Sequence, residues 1–66
     1  MRIVLNGKET DLGDSATVAS LLAELGLAGR RVAVEVNSEI VPRSRHGEHA
    51  LTEHDRVEVV RAIGGG

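Results

Sequence analysis

The sequence predicts an α+β domain, a mixed β-sheet packed on one helix in the order ββαββ. Three observations lead to it. An Asn-Gly dipeptide separates two short β-prone runs near the start, a single leucine stripe at helical spacing follows, and valine-rich alternating stretches occupy the second half. Nothing in the chain repeats, and no linker divides it.

Residues 2–6, Arg-Ile-Val-Leu-Asn, place Ile3 and Leu5 on one face and Val4 on the other. Asn6-Gly7 supplies the two positive-φ positions of a type I′ turn, so Lys8 to Leu12 should return antiparallel as a hairpin. Val18, Leu21, Leu22 and Leu25 recur at i, i+3, i+4 and i+7, the apolar stripe of a short helix over residues 18–25. Thr17 suits its N-cap, and Gly26 followed by Leu27 suits a Schellman stop with Leu27 near Leu22.

Val32, Val34 and Val36 alternate with Ala33, Glu35 and Asn37 as a half-buried strand. Asn37-Ser38 turns the chain into a brief strand at Ile40-Val41, which Pro42 stops and marks as an edge. Residues 43–54 are polar, with Ala50 and Leu51 as anchors, and the last strand runs from Arg56 to Ile63. Val57 and Val59 should face the core, Glu58 and Val60 the outside. With the first and last strands as neighbours at the sheet centre, this is the architecture of the β-grasp, or ubiquitin-like, fold.

Composition narrows the function classes. The 66 residues form one domain, residues 1–63, ending in a flexible glycine tail, residues 64–66, and leave no room for a deep substrate cleft. There is no Phe, Tyr or Trp, net charge is −2 and the arginines are scattered, which argues against nucleic-acid binding by base stacking or by a basic stripe. Without cysteine there is no disulfide, thiol nucleophile or Cys-type zinc site. No stretch has the roughly 18 apolar residues of a membrane span and none resembles a signal peptide, so a cytosolic protein is expected.

His46, His49 and His54 offer neither a helical i, i+4 pair nor a strand i, i+2 pair, and the segment between them has no strong periodicity, so they read as solvated loop histidines and not as a metal site. Ser15, Ser20, Ser38 and Ser44 lack a nucleophile elbow, and Gly13 has no companions to cradle a phosphate. No autonomous active site emerges. The remaining feature is "VVRAIGGG", a strand that runs directly into Gly64, Gly65 and Gly66. Those glycines are either a frayed end or cloning remnant, or a slender reach that carries a reactive terminal carboxylate into an enzyme.

Four stretches favour the second reading because together they resemble the ThiS family, sulfur carriers of thiamin biosynthesis. "IVLNG" is similar to the family's first hairpin and "TVASLLAELGL" to its helix. "VAVEVNSEIVPRSRH" matches its strand, asparagine turn and Val-Pro-Arg, and "LTEHDRVEVVRAIGGG" its closing strand and terminal glycines. The family often has Trp shortly after Val-Pro-Arg, where this chain has His46 or its neighbours, and Gly where it has His54. It generally ends in two glycines, so the modified carbon belongs to Gly66 or Gly65.

The resemblance implies a carrier worked on by partners and not an enzyme. It binds no cofactor of its own; a ThiF-like adenylyltransferase, using ATP and magnesium, activates the carboxylate. A cysteine desulfurase is the sulfur source, and thiazole synthase (ThiG) consumes the resulting thiocarboxylate. Gly66 or Gly65 would carry the sulfur and Gly64 the reach, while Ile63, Ala62, Val60, Arg61 and Arg43 would meet the partners. The small subunit of molybdopterin synthase, a ubiquitin-like protein modifier and a non-catalytic binding module stand as alternatives; a single lysine, Lys8, limits lysine-linked polymers to one branch point.

Overall fold

The Asn6-Gly7 turn sets the first register. The structure, a computed structural model, describes residues 1–61. Strands β1 (Arg2–Leu5) and β2 (Lys8–Asp11) pair antiparallel with Leu5 opposite Lys8. The two loop residues have φ of 49° and 81°, the left-handed pair that lets a two-residue turn match the twist of its strands. Strand β3 (Val32–Val36) turns through Asn37 and Ser38, again both at positive φ, into the edge strand β4 (Glu39–Val41).

Strand β5 (Arg56–Arg61) closes the sheet by inserting between the two hairpins, giving the order β2-β1-β5-β3-β4. It runs parallel to β1 and antiparallel to β3. The first and last strands are therefore central neighbours, as expected. The expected continuation of the strand to Ile63 lies outside the described residues, as does the tail.

Helix α1 (Val18–Glu24) buries Val18, Leu21 and Leu22 against Ile3, Val34 and Val57 of the sheet. Thr17 caps it: its hydroxyl accepts from the Ser20 N–H at 3.1 Å and the Ser20 hydroxyl accepts from the Thr17 N–H at 2.8 Å, a capping box with serine in the third position. At the other end the Leu27 N–H reaches the Leu22 carbonyl at 2.8 Å and the Gly26 N–H reaches Ala23 at 3.1 Å, the Schellman pattern, with Gly26 at φ 75°. Leu25 departs from the expected stripe. It sits at the C-cap, past the last helical residue, and is 42% exposed, while Leu27 folds back to pack on the core.

The segment after β4 is more ordered than its polarity suggests. A 3₁₀ turn at Arg43–Arg45 carries the chain under the helix start, where the His49 and His46 carbonyls accept from the Val18 and Ala19 N–H groups at 3.0 and 2.9 Å. With the Thr17 hydroxyl on Ser20, the first three helical N–H groups are thus satisfied from outside the helix. His46 is consequently buried, 8% exposed, with Nε2 3.1 Å from the Val41 carbonyl. The expectation of a solvated His46 is corrected: a residue whose carbonyl caps the helix lies underneath it.

Asp55 ties this segment to β5. Its carboxylate accepts from the Thr52 N–H at 2.8 Å, the Thr52 hydroxyl at 3.1 Å and the Asn37 amide at 3.0 Å, and the Asn37 side-chain oxygen accepts from the Arg56 N–H at 3.0 Å. Burial alone would raise the Asp55 pKa; the hydrogen bonds from Thr52 and Asn37, with His49 nearby, outweigh it and hold the carboxyl below its ordinary 3.8.

Two outcomes are expected. Thr17→Ala, which empties the capping box, lowers stability by about 1 kcal/mol, a fall in Tm of roughly 4–8 °C in a thermal melt followed by circular dichroism. Asp55 favours the fold only when ionised, so its contribution is present above pH 3.8 and is lost as pH falls through its lower native pKa. The difference in Tm between wild type and Asp55→Asn is therefore constant from neutral pH down to about 5 and shrinks below about 4; a gap independent of pH would contradict this.

Candidate functional site

Alternation along β5 sorts its side chains between two faces. Val57 and Val59 are 0% and 9% exposed beneath the helix, whereas Val60 is 60% exposed on the open face of the sheet. Opposite Val60 on β3 lies Ala33, and Ile40 on β4, 71% exposed, lies opposite Glu35. Glu35 in turn lies opposite Glu58. Like charges placed directly across a strand pair are destabilising, and neither glutamate has an ion-pair partner among the described residues. The open face thus exposes Ala33, Ile40 and Val60 around two adjacent carboxylates, the makings of a docking surface.

The strand registers also gather positive charge where the tail begins. Val41, Val34 and Val59 lie abreast on β4, β3 and β5, and Arg43 and Arg61 each follow two residues later. These two arginines, singled out in the sequence, therefore follow strands that run in the same direction, Arg43 opening the 3₁₀ turn after β4 and Arg61 ending β5. Arg30 and Arg31 join them, since they immediately precede Val32, the residue opposite Arg61. Among the described residues, Arg2 alone of the arginines is ion-paired, to Asp11 at 2.9 Å and Glu9 at 3.1 Å, at the other end of β1. Ala62, Ile63, Gly64, Gly65 and Gly66, the remaining predicted site residues, lie outside the described residues.

One residue at the base of the tail is not recognisable from the turn signal alone. The Asn6 side chain bonds the main chain of Val59 twice, accepting from its N–H at 2.8 Å and donating to its carbonyl at 3.3 Å. Sequence reasoning accounts for Asn6 only through its tolerance of positive φ. The available signal is that asparagine stands at a turn position that glycine or aspartate also satisfies, so its amide is free for another purpose.

The histidines do not converge. His46 is buried against Val41, His49 is half-buried, and His54 is exposed with Nε2 3.8 Å from Glu53. No cluster of three metal-ligating side chains exists among the described residues. His54 holds φ of 70° in a tight turn, a conformation that costs a non-glycine residue about 1 kcal/mol.

No helix among the described residues is long and apolar enough to cross a membrane. The ThiS family model matches residues 2–66. The sulfur carrier protein ThiS of Bacillus subtilis is 40% identical over 63 residues, covering 94% of this chain and 96% of that protein. A crystal structure of the thiamine biosynthesis protein ThiS from Geobacter metallireducens superposes with a TM-score of 0.84 at 32% identity, each chain covered completely. A thiazole synthase of Paramagnetospirillum magneticum is 48% identical over all 66 residues, and this chain spans 20% of its length. A helix on a five-stranded mixed sheet, a closing strand that leads into glycines, and a match over nearly every residue agree: the chain belongs to the ThiS family.

Proposed function

We propose that this protein carries sulfur for the thiazole ring of thiamin as a thiocarboxylate on its terminal glycine. The observation that carries the reading is the match of residues 2–66 to the ThiS family, on a fold whose central strand β5 carries the exposed Val60 four positions before Gly64 in the sequence. A carboxylate is a poor electrophile. A ThiF-like adenylyltransferase, using ATP and magnesium, lets a carboxylate oxygen of Gly66 or Gly65 attack the α-phosphorus and expels pyrophosphate. The acyl-adenylate now has AMP as leaving group: the outer sulfur of a persulfide formed by a cysteine desulfurase attacks the acyl carbon and expels AMP, and a thiol reductant, itself oxidised to a disulfide, cleaves the resulting acyl disulfide to the thiocarboxylate. Thiazole synthase then takes the sulfur as a nucleophile.

Similarity to part of two proteins named thiazole synthase supports that enzyme as a partner. Glycines without Cβ atoms suit a narrow channel. Val60, with Ala62 and Ile63 beyond it, offers apolar contact, and Arg43 and Arg61 offer cations to carboxylates at the channel mouth. The carrier supplies address and reach; the partners supply the chemistry.

Two measurements test this. Intact mass of the protein co-expressed with its adenylyltransferase and desulfurase rises by the difference between a sulfur and an oxygen atom, and tandem fragmentation puts the gain on the terminal glycine; an unchanged mass sinks the carrier reading. Val60→Asp costs no more than about 1 kcal/mol of stability, yet raises the adenylyltransferase KM for the carrier by about tenfold, as expected when an apolar side chain at the centre of an interface is replaced by a charge.

A further inference from the structure

We infer that Asn6 fixes the direction in which the end of β5 is presented, and through it the carboxylate to the partner enzymes, an inference that rests on the carrier reading above. Successive peptide groups of a strand face opposite sides. On its β3 side, β5 has a register partner to its last described residue, Val32 lying opposite Arg61. On its β1 side the bonds fall on alternate residues: Val4 N–H donates to the Asp55 carbonyl at 2.9 Å and Asn6 N–H to the Val57 carbonyl at 2.8 Å. There the hairpin turns away, and no further backbone is presented to β5 from β1.

The next peptide groups on that side, those of Val59, are taken by the Asn6 carboxamide at 2.8 and 3.3 Å. One planar amide replaces one strand residue. The doubly held part of β5 extends to Val59 instead of ending at Val57. No other side chain does this from the same position: glycine has no amide to offer, ionised aspartate accepts but cannot donate, and glutamine is one methylene longer. The turn does not require asparagine; the clamp does.

Gly66 lies seven residues beyond Val59, a span of at most about 25 Å. Releasing Val59 moves the last doubly held point back to Val57 and leaves the residues beyond it held on the β3 side alone. The end of β5 is then correctly oriented in fewer molecules, and apparent affinity for a partner falls with the fraction correctly presented.

The test uses the full chain, with amide hydrogen exchange read residue by residue and ATP–pyrophosphate exchange by the ThiF-like adenylyltransferase at varied carrier concentration. Asn6→Gly keeps the left-handed turn and removes the amide. Exchange at Val59 should quicken by about tenfold or more while Val34 and Val36 are unaffected, and KM should rise about fivefold with kcat within about twofold. Asn6→Asp, which keeps the acceptor and loses the donor, falls between. Ile3→Val, a buried change away from the tail, lowers Tm without moving KM. An unaltered KM in Asn6→Gly, with faster Val59 exchange, overturns the inference and leaves the carrier reading standing. Unaltered Val59 exchange overturns the clamp itself. A wild-type chain that supports no pyrophosphate exchange overturns the carrier reading, and the inference with it.

Discussion

The structure depends on the seating of β5 between β1 and β3. Until that strand is in place the molecule is two separate hairpins and a short helix without a common sheet, because β1 and β3 do not pair with each other. Its side chains Val57 and Val59 complete the surface on which α1 lies. The contacts that seat it join opposite ends of the chain, so the entropy of loop closure opposes the strand's entry before burial favours it. The last strand in sequence is thus the central strand of the sheet.

Two asparagines hold that strand from opposite sides, one at its first residue, Arg56, and one at Val59. Asn37 bonds the main chain of Arg56 through its own N–H and its side-chain oxygen, and donates its amide to Asp55. Asn6 bonds Val59. Both residues occupy left-handed turn positions, so each combines a backbone conformation with a side-chain bond that acts in place of a missing strand residue. A small core built without aromatic residues gains comparatively little from burial, and hydrogen bonding is correspondingly complete. Every buried side-chain nitrogen and oxygen among the described residues has a partner. The first turn of α1 follows the same rule, with loop carbonyls and a capping box serving its N–H groups.

Division of the sheet into two faces separates stability from recognition. The inner face holds the valines that bury the helix; the open face keeps Ile40, Val60 and the Glu35–Glu58 pair in water. A cross-strand pair of carboxylates weakens the free protein slightly, and is tolerable where a partner's cations can meet it.

Much of this is legible in the sequence where a feature depends on near neighbours. Asn6-Gly7 specifies the hairpin, Thr17 and Gly26 the limits of α1, and the alternation of valines the inward face of β3 and β5, because turn chemistry, capping and strand periodicity act over a few residues. Pro42 marks the edge strand for the same reason. The serine in the capping box escapes notice only because glutamate or glutamine is the usual signal there. What tertiary structure alone decided is which distant groups meet. His46 is buried because its carbonyl caps a helix that begins 28 residues earlier, at Val18. The Asn6 amide grips a residue 53 positions away, and Glu58 faces Glu35 through a register fixed by the whole sheet. No local pattern encodes such pairings, since they exist only once β5 has entered between strands drawn from both halves of the chain.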